Sequence, residues 1–151
     1  MTDPTPVYFR LFNEIGIIEQ LSRAAFEARL PHGLIAPQFS VLNHLVRVSD
    51  GRTPLEIARA FQVPKTTMTH TLSGLVRLGF VEMRPNPEDG RSKRVWLTEA
   101  GRRAREESIE AMAPDFARLA GQFPLDAVER LIPALTELRQ ILDADRERPT
   151  D

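Results

Sequence analysis

The chain has 151 residues, 42% of them hydrophobic and 27% charged, with a formal net charge of −1 and no cysteine. That length and balance suit one ordinary globular domain with a real core, and no apolar run reaches the roughly 18 residues of a membrane span. Lack of cysteine excludes disulfides, thiolate metal sites and a thiol redox switch in this chain.

In chain order, the opening MTDPTPVYFRLF lacks the basic segment, long apolar core and cleavage site of a secretory signal, so the expected location is cytoplasmic. The segment PVYFRLFNEIGIIEQLSRAAFEARL sets Phe9, Phe12, Ile15, Ile18, Leu21, Ala25 and Phe26 at steps of three and four. This spacing predicts a helix with one apolar face, ended by Pro31, His32 and Gly33. PQFSVLNHLVRV predicts a second helix, with Phe39, Leu42, Leu45 and Val46 inward and Pro37 in its first turn. Ser49, Asp50 and Gly51 break it.

TPLEIARAF carries its own start signal: Thr53 as cap, Pro54 at the first helical position and Glu56 where a capping box needs an acid. After the short link Gln62–Val63, PKTTMTHTLSGLVRLGF predicts a fourth helix with Met68, Leu72 and Leu75 on one face and Gly79 as its C-terminal cap. Two short helices so tightly joined form a helix-turn-helix candidate.

Beyond Gly79 the period changes to two. Val81 and Met83 alternate with Glu82 and Arg84, and Val95 and Leu97 alternate with Arg94 and Trp96, which predicts a two-stranded hairpin. Its loop, RPNPEDGRSKR, holds Asp89 and Gly90 for the bend and the cations Arg84, Arg91, Lys93 and Arg94. Thr98 then caps a long helix beginning EAGRRAREESIEAM, expected to bend or end near Pro114. A last helix over 125–142 carries a near-heptad stripe of Val128, Leu131, Leu135, Leu138 and Leu142, with Pro133 as a potential kink, before the charged tail DADRERPTD.

The small net charge hides a division along the chain. Residues 52–105 hold 11 Lys or Arg against 5 Asp or Glu, while the rest holds 9 against 16. A basic middle between acidic flanks points to a polyanionic partner for the middle alone. On the fourth helix Thr66, Thr69, His70, Ser73 and Arg77 share the face opposite the apolar one. Hydroxyls and an imidazole there suit phosphates and base edges in a major groove, with Lys65 and the helix N-terminus favouring phosphate and Thr67 completing the DNA-binding set on this helix. The alternative is that these side chains merely solvate a short helix. Threonine at positions 66, 67, 69 and 71 weighs against it, because β-branched residues are poor choices for helix stability alone.

The expected fold is therefore mainly α with a small β-hairpin wing. The stretch TPLEIARAFQVPKTTMTHTLSGLVRLGFVEMRPNPEDGRSKRVWLTEAGR resembles the winged-helix core of the MarR family of bacterial transcription regulators. The marks are Leu75, Gly79 and Phe80, then Asp89, Gly90 and Arg91, then Val95, Trp96, Leu97, Thr98, Glu99 and Gly101. The resemblance implies one MarR-like domain over 1–151, with a winged helix-turn-helix lobe at 36–98 and helical dimerisation regions at 5–32 and 99–145. It implies a homodimer on a pseudo-palindromic double-stranded DNA operator, with Arg91 at the wing tip entering the minor groove, oriented by Asp89. A narrow groove concentrates negative potential and so favours a guanidinium. Ser92, Lys93 and Arg94 complete the DNA-binding set on the wing, the two cations meeting phosphates. The chain departs from the family pattern at His70 and Gly74, where relatives often carry Arg on the recognition helix, and at Ala36, where a hydroxyl cap is usual.

His32, His44 and His70 are far apart with no paired-His spacing, and no nucleophile, Walker or dinucleotide motif occurs. The expectation is a non-enzymatic protein without metal or cofactor. The resemblance implies a small aromatic or phenolic effector; Phe12, Phe39, His44 and Phe116 sit at spacings that fit a core as well as a cleft, so no ligand-binding residue is assigned. A winged helix used for protein association, with the hairpin as docking surface, is the alternative function.

Overall fold

The computed structural model describes residues 1–146. They form seven helices and one antiparallel hairpin: α1 (Thr5–Glu27), α2 (Ala36–Arg47), α3 (Pro54–Phe61), α4 (Lys65–Arg77), β1 (Val81–Pro85), β2 (Lys93–Leu97), α5 (Glu99–Glu110), α6 (Ala113–Ala120) and α7 (Leu125–Asp145). Two compact units result, one ending at Met112 and the other beginning at Ala113. The end of the charged tail, residues 147–151, lies outside the described part.

The first unit is built around α2, α3, α4 and the hairpin. Leu42, Leu45, Ile57 and Leu75 are fully buried there, each contributing about 2 kcal/mol of transfer free energy. Val41, Met68, Leu72, Val81 and Val95 join the same cluster. The helical period of α4 puts Met68, Leu72 and Leu75 inward as the spacing predicts, and the hairpin register pairs Val81 with Leu97 and Met83 with Val95.

Helix starts follow their caps, with two differences. Thr53 Oγ1 accepts from the Glu56 N–H at 3.2 Å, but the Glu56 carboxylate takes the Thr53 hydroxyl and Arg52 rather than the cap's own N–H. The reciprocal half of a capping box occurs instead at α2, where the Ile35 N–H donates to Gln38 Oε1 at 3.1 Å. Ile35 is thus the N-cap residue and Ala36 already stands inside the helix, so a hydroxyl at 36 would not have been the cap.

Thr98 locks the start of α5 to the end of the helix-turn-helix. Its hydroxyl accepts from the Gly101 N–H at 3.0 Å and donates to the Gly79 carbonyl at 2.6 Å. Gly79 has φ +75°, the left-handed conformation that closes a helix and favours glycine. The long helix expected after Thr98 is two helices. α5 stops at Glu110, capped by Ala111, and Pro114 is the second residue of α6, a first-turn place where a missing N–H costs nothing.

α1 contributes no buried residue, and Phe9, Ile18 and Leu21 are exposed along it. Its tie to α2 is the edge-to-face contact of Phe26 with Phe39, ring centroids 4.6 Å apart. In the second unit α7 runs unbroken through Pro133, also without a buried residue. Leu131, Leu135 and Leu142 of the expected stripe are exposed, together with Ile132 and Ile141.

Candidate nucleic-acid interface

The polar face of α4 is open to solvent. Lys65, Thr66, Thr67, Thr69, His70, Ser73 and Arg77 are all exposed, while Met68, Leu72 and Leu75 on the opposite face are buried. Gly74 is different: it is buried, and a Cβ there would stand 2.5 Å from Gln38 Nε2. The position therefore serves the close approach of α4 to α2.

Two of the threonines satisfy their hydroxyls within the helix. Thr69 donates to the Lys65 carbonyl at 2.9 Å, and Thr71 donates to the Thr67 carbonyl at 3.2 Å. The back-bond explains how Thr71 is tolerated in a buried position. While Thr69 keeps this bond, its oxygen lone pairs and its methyl are what it offers to a partner.

The wing loop is held by side chains that cap its backbone. Asn86 Oδ1 accepts from the Glu88 N–H and its Nδ2 donates to Ser92 Oγ at 2.9 Å. Asp89 Oδ1 accepts from the Arg91 N–H at 2.9 Å. Gly90 takes no left-handed conformation and nothing crowds it, so the bend is held by the Asn86 and Asp89 side chains and does not draw on the conformational freedom of Gly90. The Arg91 side chain is 97% exposed, with Nε 3.9 Å from Asp89 Oδ1. It projects from the tip with its inner end beside a carboxylate.

The other wing cations divide by partner. Arg84 and Arg94 face each other across the strands, a repulsive pairing that neighbouring acids relieve. Arg84 pairs with Glu82 and lies 5.1 Å above the Trp96 ring; Arg94 lies 3.5 Å from Glu88. Lys93 is exposed.

An open groove of about 670 Å³ runs between the wing and the starts of α3 and α4, bringing Lys65 together with Asp89, Arg91, Ser92 and Lys93. A smaller hollow of about 230 Å³ adjoins it, sharing Pro54 and Met83 and edged by Thr69 and Ser73. Eight of the expected residues, Lys65, Thr69, Ser73, Asp89, Arg91, Ser92, Lys93 and Arg94, thus lie along the wing and its side of α4. Thr66, Thr67, His70 and Arg77 line neither hollow.

Three supports of this surface escaped sequence reasoning. Asp50 Oδ1 accepts from the N–H groups of Gly51 and Leu97, each at 3.0 Å. Arg52 bridges to Val95 as a single rung beside β2, with the Val95 N–H 2.7 Å from the Arg52 carbonyl. Gly51, at φ +70°, lies against Trp96, where a Cβ would come within 2.4 Å of the indole. The Asp-Gly pair at 50–51 was the available signal, readable as a turn but not as a strand-side anchor.

Electrostatics behind the surface centre on Arg52. Its guanidinium, with help from the Thr53 hydroxyl, holds the Glu56 carboxyl below its ordinary range against partial burial. Burial pushes the His44 imidazole down, and Arg52 and Arg47 add to the shift. His44 packs against Phe61 with ring centroids 5.3 Å apart, and its Nε2 meets no hydrogen-bonding partner among the described residues. His32 lies apart from it, paired with Glu107 of α5 and edge-on to Phe80. Among the described residues no cluster of three or more His, Cys, Asp or Glu could hold a metal ion. No helix among them is long and apolar enough to cross a membrane.

Residues 32–92 match the family model described as MarR family. The chain is 31% identical over 98 residues to the transcriptional activatory protein BadR of Rhodopseudomonas palustris, a match covering 64% of this chain and 54% of BadR. It therefore spans about half of that relative. To the multiple antibiotic resistance protein MarR of Escherichia coli it is 35% identical over 99 residues, covering 60% of this chain and 68% of that protein. The crystal structure of a cysteine-to-serine mutant of that MarR complexed with operator DNA superposes with a TM-score of 0.70 at 28% identity, covering 91% of this chain and 99% of the other.

Proposed function

The chain belongs to the MarR family, and from that premise we propose that it is a sequence-specific DNA-binding transcriptional regulator, a dimeric repressor of MarR type released by a small ligand. The observation that carries the reading is the groove in which Lys65, at the start of α4, meets Arg91 and Lys93 of the wing. A helix N-terminus and three cations around one concave surface suit a phosphate backbone. The open polar face of α4 is then the element for the major groove and Arg91 the probe of the minor groove, with Asp89 steadying it. Lys93, Ser92 and Arg94 flank the backbone, Arg94 after leaving Glu88.

Residues 36–98 act as the DNA-binding lobe, and 5–32 with 99–145 as the dimerisation region. The exposed apolar residues of α1 and α7 support the second assignment, since such stripes are covered in a stable assembly. Two lobes related by a two-fold axis require a pseudo-palindromic operator. The effector is a small aromatic or phenolic compound, the setting is the cytoplasm, and no enzymatic role is assigned.

Binding of a DNA fragment from beside its own gene, titrated by anisotropy over a range of salt, tests this function. Three phosphate contacts per protomer predict a log–log slope of about −5. The protein-docking alternative predicts no salt-sensitive association with the fragment, and that result would overturn the reading.

A further inference from the structure

The outward face of α4 carries an unusual set of readers. Between Lys65 and Arg77 the helix holds no Arg, Lys, Asn or Gln. The bidentate pairings of Arg or Lys with guanine, and of Asn or Gln with adenine, are therefore unavailable from its middle turns. What stands exposed there is Thr66, Thr67, Thr69, His70, Ser73 and Val76.

Thr69 is the most constrained of these. Its hydroxyl donates to the Lys65 carbonyl, so while that bond is kept the oxygen faces a base as an acceptor. With the hydroxyl turned back along the helix, the γ-methyl is the remaining group. In the major groove the amino donors are adenine N6 and cytosine N4, and the C5-methyl belongs to thymine alone. An A·T pair presents an amino donor and a methyl together; a G·C pair presents an amino donor without the methyl. The ground around Thr69 is apolar as well, for Leu72, Val76 and Met83 line the same hollow.

We propose that Thr69 selects an A·T base pair in each half-site, its methyl against the thymine methyl and its hydroxyl oxygen accepting from the adenine amino group. This rests on the DNA-binding function above and adds the base class that the helix reads.

The test uses the full-length protein and the fragment from beside its gene, footprinted to locate the half-sites. Thymine is replaced by uracil one symmetric position at a time, which removes only the methyl. The wild-type protein should lose about fourfold in affinity per half-site at one such position, the effect of uncovering one methyl-sized group. Thr69→Ser, which keeps the oxygen, should bind thymine and uracil equally there, whereas Thr69→Val, which keeps the methyl, should retain the difference. No uracil-sensitive position, or an unchanged thymine-to-uracil ratio in Thr69→Ser, would overturn the assignment while leaving DNA binding intact. Absence of salt-sensitive binding by the wild type would overturn the DNA-binding function and the assignment together.

Discussion

Gly101 sits so close to Phe80 that a Cβ on it would stand 1.9 Å from the Phe80 carbonyl oxygen. The same carbonyl accepts from the Thr98 N–H at 3.2 Å, so the backbone that would have to move also closes the turn from wing to α5. Gly101→Ala should cost about 3 kcal/mol, at the upper end of overpacking effects, and lower the melting temperature by roughly 10 °C. Gly90→Ala, in open space, should leave it unchanged. Thermal unfolding followed by circular dichroism compares the two.

Arg91 has the opposite character, with a side chain almost wholly in solvent. Arg91→Ala should weaken binding to the operator fragment roughly tenfold, the effect of losing a charge-assisted contact, while unfolding stays within about 0.5 kcal/mol of wild type. Equal affinity of mutant and wild type in the same titration would remove the wing tip from the interface.

His44 gives the fold a dependence on acid. Unfolded, its imidazole takes a proton near pH ~6.5; folded, burial and the neighbouring Arg52 and Arg47 hold the pKa lower. Between those values the unfolded state carries the extra proton, so stability is full above about pH 6.5 and drains as pH falls towards the folded value. His44→Leu should flatten that part of the pH profile of chemical denaturation. An unchanged slope would show that the acid sensitivity lies elsewhere.

Much of this architecture could be read locally. Thr53, Pro54 and Glu56 mark the start of α3, the three- and four-residue steps of Met68, Leu72 and Leu75 orient α4, and strict alternation sets the register of Val81 and Met83 on Leu97 and Val95. These signals act within a turn or along a strand. The break between α5 and α6 at Ala111 and Met112 carries no glycine or proline of its own, so Pro114, in the first turn of α6, was the local signal that placed the boundary nearby. Gly74, Gly101 and the Gly51–Trp96 contact depend on elements distant in sequence, and no local period reports such approaches. At the interface, exposure along α4 was legible from its periodicity. The back-bond of Thr69 and the pairing of Arg94 with Glu88 were not, because each is a choice of rotamer.

The apolar side of α7 makes dimerisation open to a direct challenge. Leu135 is exposed on it beside Leu131 and Leu142, so a charge there stays in solvent in the protomer, whereas in the proposed dimer it would be buried against a partner's apolar surface. Leu135→Asp should shift the mass measured by light scattering from dimer to monomer, with helical content retained. A dimer of unchanged mass would assign the association to other residues.

Asp50 has a consequence for protein engineering. Its one carboxylate oxygen holds the N–H of Gly51 and that of Leu97, while Arg52 supplies the rung beside Val95. The wing is thus a hairpin with a borrowed third edge that precedes it in the chain by some thirty residues. A chimera that transplanted residues 81–97 alone would import a blade without its hilt; the transferable cassette begins at Asp50.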